Sequence, residues 1–129
     1  MKPPPAINLL AESRRLLDEA EPSTVSAWSR ASALLARQAL EEALTELWIS
    51  RAPGVQRLNM RAQLNCLHSY VPDAVLVSDI AFTWHALSRA THHHPYELDP
   101  TAEELRSLVS TTARIVGALG PATAEPIGR

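Results

Sequence analysis

Apolar residues along this chain recur at intervals of three and four, the spacing that places side chains on one face of an α-helix. One stripe lies in the second quarter of the chain and consists of Ala33, Ala36, Leu40, Ala43, Leu44 and Leu47. Another lies near the C-terminus and consists of Leu105, Leu108, Thr112, Ile115 and Leu119. Runs of β-branched residues are scarce, so the pattern favours helices over strands.

Proline marks the breaks between the helical segments. The pattern predicts five helices, near residues 6–20, 24–50, 57–71, 73–92 and 100–119. Asp73 is a candidate N-cap for the fourth helix. The fifth helix has two alternative starts: Asp99 as the N-cap, or a capping box formed by Thr101 and Glu104.

Short connections make consecutive helices antiparallel neighbours, so the predicted fold is all-α, an up-and-down bundle of four to five helices. A length of 129 residues suits one domain. We assign residues 1–120 to that domain and residues 121–129 to a loose C-terminal tail. The apolar stripes are broad for so small a chain, which favours a homodimer.

No apolar run approaches the roughly 20 residues that are needed to cross a bilayer, and the first residues lack the apolar core of a secretory signal. Cys66 is the single cysteine, which excludes an intrachain disulfide and fits a reducing compartment. We therefore expect a cytoplasmic protein that has no membrane partner.

The net charge of −2 argues against broad non-specific binding of nucleic acid. Residues 51–96 nevertheless hold four arginines against two aspartates, together with all five histidines, whereas the rest of the chain holds eight basic and twelve acidic residues. A localised anion site and chance variation among a few charges explain this distribution equally well.

The segment from Arg89 to His94 stands at the end of the predicted fourth helix and contains three consecutive histidines. Pro95 disfavours helical geometry at the residue before it, so the helix is predicted to end near His92 or His93. These side chains therefore lie where the chain leaves the helix and where a ligand could reach them.

The residue types in this segment suit phosphodiester chemistry. The guanidinium of Arg89 can hold two phosphate oxygens and stabilise charge on phosphorus. Imidazole transfers protons near neutral pH. His85 lies four residues before Arg89 on the same helix face, and with His92 it is a candidate for contacting the substrate. No carboxylate cluster accompanies them, so neither two-metal hydrolysis nor a cofactor is predicted.

Two other interpretations stay open for the same segment. Cationic side chains at the C-terminal end of a helix complement the helix dipole without any further function. Alternatively, His92 to His94 bind zinc or nickel, although adjacent histidines rarely converge on one ion and no Cys, Asp or Glu completes the set.

A helical bundle with Arg-x4-His before the last helix resembles the HEPN superfamily of bacterial domains. The match runs from Arg89 to His94, and residues 32–44 of the second helix are similar in character to the corresponding family helix. The resemblance covers roughly residues 6–119, and Arg-x4-His is the part of it that forms a motif.

Many HEPN proteins are metal-independent endoribonucleases, in which the Arg and His of two protomers meet at a dimer interface and the RNA 2′-hydroxyl is the nucleophile. The resemblance implies that His94 is the acid–base residue and Arg89 the phosphate stabiliser, with His93 or His92 as alternatives to His94. It also implies RNA as substrate, a homodimer, and a toxin or host-defence role. In many family systems a nucleotidyltransferase serves as the antitoxin.

The family often places a polar residue directly after the arginine, where this chain has Ala90. Other family members bind nucleotides or act only in assembly. Three functions are therefore compared below: the ribonuclease, a non-catalytic HEPN-like nucleotide-binding or assembly module, and a His-rich metal-binding bundle.

Overall fold

A computed structural model of the chain describes residues 4–19, 25–92, 96 and 98–120. These residues form helices and turns without a β-strand, which confirms the all-α prediction. The α-helices are α1 (Ala6–Glu19), α2 (Val25–Arg51), α3 (Met60–Cys66), α4 (Ala74–Thr91) and α5 (Ala102–Ala118). Residues 121–129, which we predicted to be a loose tail, lie outside the described part of the chain.

The four longer helices form an up-and-down bundle. α1 and α4 each pack against both α2 and α5. The C-terminal half of α2 shares one core cluster with the start of α4 and the end of α5. The N-terminal half of α2 shares a second core cluster with the end of α4 and the start of α5. α4 therefore runs antiparallel to α2 and α5, and its C-terminal end lies beside the start of α5.

The stripe predicted for α2 is confirmed as the centre of the core, because all six of its members are buried. α1 crosses this helix where small residues allow a close approach. The hydroxyl of Ser13 donates to the carbonyl of Ser32 at 2.9 Å and lies 2.9 Å from the Ser32 hydroxyl. These buried polar groups are therefore paired across the two helices.

The third helix is shorter than predicted. The pattern predicted one helix over 57–71, whereas α3 is flanked by 3-10 turns at Val55–Arg57 and Leu67–Ser69. Asn59 caps α3, since its side-chain oxygen accepts a hydrogen bond from the Ala62 amide at 2.9 Å. A capped start at this position excludes the preceding residues from the helix.

A buried glutamine holds the turn before α3 in place. The amide nitrogen of Gln63 donates to the carbonyls of Leu58 at 2.8 Å and Gln56 at 3.2 Å. Its oxygen accepts a hydrogen bond from the indole of the fully buried Trp48 at 3.0 Å. Two backbone carbonyls of the turn are thus hydrogen-bonded by a core side chain. The spacing of apolar residues does not predict this contact.

The starts of α4 and α5 have the caps that their sequences indicated. Asp73 caps α4 as predicted, because its carboxylate accepts two backbone N–H groups of the first turn at 3.0 and 3.1 Å. At α5 the capping box is present: Glu104 N donates to the Thr101 hydroxyl at 3.0 Å and Thr101 N donates to the Glu104 carboxylate at 2.8 Å. The alternative start at Asp99 is wrong.

Charged side chains on the outer face of α1 pair with one another. Arg15 forms ion pairs with Glu12 and with Glu19. Its hydrogen bond to Glu12 lowers the pKa of that carboxyl from its usual value. Exposed pairs of this kind contribute little to stability.

Among the helices described, none combines the length and the apolar character that crossing a membrane requires.

Candidate functional site

Arg89 occupies the last turn of α4. The inward face of this helix is set by Ile80, Thr83 and Leu87, all fully buried. Arg89 lies outside that face and is exposed. The guanidinium is therefore presented to solvent at the C-terminal end of the helix, where a positive charge also complements the helix dipole.

The helix ends one residue before the predicted range. Thr91 is the last residue of α4, and its hydroxyl donates to the carbonyl of Leu87 at 2.8 Å. His92 is the C-cap and has an extended backbone, with φ −92° and ψ 142°. His93 and His94 lie outside the described residues, so their roles stay predictions.

Arg89 and His92 line a groove of about 760 Å³ between the end of α4 and the start of α5. The wall formed by α4 contains Phe82, Ala86, Arg89 and Ala90. The opposite wall contains Leu98, Asp99, Pro100, Thr101, Glu104, Ser107 and Leu108. The volume lies within the range of pockets that bind small molecules and cofactors, roughly 300–1,000 Å³.

The two walls of this groove, hereafter the Arg89 groove, differ in charge. Among the residues that the structure describes, no carboxylate forms an ion pair with Arg89. The opposite wall carries the carboxylates of Asp99 and Glu104, of which Glu104 accepts the Thr101 amide of the capping box. An anion in the groove would therefore pair with the Arg89 guanidinium on the α4 wall, away from these two carboxylates.

His85 is placed differently from Arg89 and His92. It is exposed on α4, and its ring lies edge-on to Trp84 with centroids 5.2 Å apart. It is not part of the lining of the Arg89 groove. The structure thus brings Arg89 and His92 to one groove and leaves His85 outside it.

A hydrogen bond between α2 and α4 supports the rotation of α4 that its buried side chains set. The indole N–H of Trp84 donates to the Glu41 carboxylate at 3.0 Å. Arg37 lies one turn before Glu41, and its Nε is 3.6 Å from the same carboxylate oxygen. Because Trp84 precedes Arg89 by little more than one turn, this contact helps to aim the exposed face of α4 into the groove.

Phe82 and Leu98 were not among the predicted site residues. Phe82 is 68% exposed and Leu98 is 98% exposed, and both line the Arg89 groove. Phe82 precedes Arg89 by seven residues, or two helical turns, so helical spacing alone could have placed both on one face. Leu98 lies in the connection to α5, where the sequence has no periodic pattern that could have indicated its position.

The metal-binding interpretation depends on residues that the structure does not describe. Among the described residues, no group of three His, Cys, Asp or Glu side chains is placed to hold a metal ion. The predicted metal ligands include His93 and His94, so that interpretation stays a prediction.

No protein-family model, no curated protein and no solved structure matches this chain. The functional proposal therefore depends on the residues and the geometry of the Arg89 groove.

Proposed function

We propose that this chain is a metal-independent endoribonuclease of the HEPN type, with the segment from Arg89 to His94 as its active site. The observation that carries the proposal is the position of Arg89. Its guanidinium is exposed in a groove of about 760 Å³ and has no carboxylate partner among the described residues. A cation in this setting is available to a phosphate rather than engaged in holding the fold together.

The proposed reaction is a transesterification within RNA. The 2′-hydroxyl attacks the adjacent phosphorus, a new O–P bond forms, and the bond to the 5′-oxygen of the next nucleotide breaks. One imidazole accepts the proton of the 2′-hydroxyl, and a second imidazole protonates the departing 5′-oxygen. Arg89 binds the non-bridging oxygens, where negative charge increases in the transition state. The products carry a 2′,3′-cyclic phosphate and a 5′-hydroxyl.

Within this proposal His94 is the acid–base residue, and His93 is the alternative. His92 lines the Arg89 groove and contacts the substrate beside Arg89. His85 lies outside the groove, so we assign the substrate contact to His92 in preference to His85.

The reaction needs both an acid and a base, and a homodimer with a twofold axis supplies two copies of the motif. Apolar side chains directly after the motif suit such an interface. Tyr96 is 99% exposed and Leu98 is 98% exposed in the single chain. Exposed large apolar side chains that lie close together mark interaction surfaces, and these two are two residues apart along the chain. The biological role proposed is that of a toxin or host-defence protein, with a nucleotidyltransferase as a candidate antitoxin.

A specific observation favours a second function, a non-catalytic HEPN-like module that binds nucleotides. Ala90, at the position where the family often has a polar residue, packs against the core cluster formed by α1, α2, α4 and α5. The side chain after Arg89 therefore supplies no polar group to a substrate. Such a module would bind RNA or nucleotides through Arg89 and His92 without forming cyclic phosphate ends.

The test is a comparison of three proteins, the wild type, Arg89→Ala and Arg61→Ala. Arg61 is an exposed arginine on α3, so its replacement removes the same charge far from the groove. We expect the wild type and Arg61→Ala to arrest growth on expression and to cut purified RNA, and Arg89→Ala to do neither. Equal toxicity of wild type and Arg89→Ala would contradict the proposal, and RNA binding without cleavage by the wild type would favour the second function.

A further inference from the structure

An exposed aromatic ring shares the wall of the Arg89 groove with the guanidinium. Val75, Phe82 and Arg89 follow one another at intervals of seven residues, so they lie on one face of α4. Phe82 and Arg89 line the groove, whereas Val75 does not. Two helical turns separate the ring from the guanidinium, about 10 Å along the helix axis.

The side chain between them is small. Ala86 lies one turn after Phe82 and nearly one turn before Arg89, and it also lines the groove. The wall therefore has an apolar ring at one end, a short side chain in the middle and a positive charge at the other end. A flat apolar group joined to an anion fits these three features in order.

We propose that Phe82 is a stacking platform for an unpaired RNA base, and that the site thereby selects single-stranded RNA. This inference rests on the function proposed above. Successive bases of a stacked strand rise about 3.4 Å along its axis. A strand held at Arg89 therefore brings a base to Phe82 within about three nucleotides. Bases in a duplex are already stacked on their neighbours and are not available to a side chain, whereas bases of a single strand stack on aromatic rings.

Ser107 lines the opposite wall of the groove, so the ring borders a recess rather than a flat face. A base enters such a recess edge-first. Stacking on Phe82 does not depend on the identity of the base, because every base has a π-face. The competing occupant of Phe82 is a side chain from a second copy of this chain, and the experiment separates the two.

The experiment measures binding and cleavage by the full-length wild type, Phe82→Ala, Phe82→Trp and Val75→Ala. The binding probes are a fluorescent single-stranded RNA with 2′-O-methyl groups, which lacks the nucleophile, and the matching blunt duplex. Val75 is 70% exposed, close to the 68% of Phe82, so Val75→Ala controls for loss of apolar surface from the same helix face.

We expect Phe82→Ala to bind the single strand about tenfold more weakly. Phe82→Trp should rescue binding because it keeps an aromatic face, Val75→Ala should leave the affinity unchanged, and all four proteins should bind the duplex weakly. The KM for unmodified RNA should rise with little change in kcat. Unchanged affinity of Phe82→Ala for the single strand would overturn the inference. So would an affinity loss that accompanies a loss of dimer in light scattering. In either case cleavage that depends on Arg89 would still support the proposed function. A wild type that neither binds nor cuts RNA would overturn both.

Discussion

At the scale of single residues, Arg89 and the adjacent Ala90 differ in exposure and packing. Both line the Arg89 groove, but Arg89 is exposed, whereas the half-buried Ala90 also packs against the core cluster. Their difference follows from the rotation of α4, which the buried Ile80 and Leu87 set. The exposure of Arg89 was predictable from spacing within one helix. The composition of the opposite groove wall was not, because α5 reaches it through tertiary packing.

Replacing Arg89 by Ala should affect activity far more than stability. An exposed side chain at a helix end costs within about 0.5 kcal/mol when it is truncated. Loss of the charge that stabilises the transition state should reduce RNA cleavage on the order of a hundredfold or more. Thermal melts check the expected stability, and product formation on a single-stranded RNA, measured on the same preparation, checks the expected loss of activity. Activity lost only in proportion to folded protein would make Arg89 a scaffold residue.

The three consecutive histidines can be ranked by a matched series. His94→Ala should reduce cleavage about a hundredfold or more, as loss of a general acid–base does. His92→Ala should be milder, because His92 holds substrate in the proposed site rather than moving the proton. Initial rates at saturating RNA compare the two variants with His93→Ala. If His92→Ala were the most damaging, the Arg-x4-His assignment would be wrong although the groove could still be the site.

At the scale of secondary-structure elements, the sequence predicted the long helices well and the short one poorly. α2, α4 and α5 have long apolar stripes and local caps, and their bounds agree with the prediction to within about two residues, the usual uncertainty of helix ends. The predicted third helix ran over 57–71. The observed α3 is shorter, because Asn59 caps its start and the turn before it is held by hydrogen bonds from the Gln63 side chain to the carbonyls of Gln56 and Leu58. Such contacts are set by the fold and leave no periodic signal.

The capping box of α5 should contribute measurably to stability. Thr101→Ala removes the hydroxyl that accepts the Glu104 amide and leaves that amide without its cap. We expect a loss of about 1 kcal/mol in the free energy of unfolding, which lowers the melting temperature by about 4 °C in a domain of this size. Ser107→Ala, an exposed serine further along α5, is the control and should leave the melting temperature unchanged. Equal melting temperatures for both variants would show that the box contributes nothing.

At the scale of the whole molecule, the groove is incomplete for the proposed reaction. The single chain presents one Arg89 beside one His92 and leaves Tyr96 and Leu98 uncovered by the rest of the described chain. Acid–base cleavage through a 2′-hydroxyl benefits from two proton-transfer groups. The sequence predicted the motif and made α4 and α5 neighbours, but it did not predict which side chains of α5 face Arg89, because that depends on how α5 is rotated in the bundle.

The ribonuclease and metal-binding interpretations differ in their response to chelation. In the proposed reaction a guanidinium stabilises the charge and imidazoles move the protons, so no step needs an ion. Cleavage should therefore persist in EDTA at the rate of an untreated sample. Activity that EDTA abolishes and that added zinc restores would transfer the assignment to a metal site at His92 to His94.

The last prediction concerns the assembly of the site. We expect a homodimer in which both Arg89 side chains face one shared cleft, because a twofold axis through the motif supplies the second imidazole. Light scattering at micromolar concentration should give the mass of two chains. Co-expressed Arg89→Ala and His94→Ala chains should then regain part of the cleavage, above either variant alone, since a mixed dimer retains one guanidinium and one His94 imidazole in the same cleft whereas each parent lacks one of these groups entirely. The missing second imidazole should keep the mixed dimer below the wild type. A monomer, or a mixed dimer no more active than its inactive parents, would show that each chain works alone or that the motifs lie on separate faces.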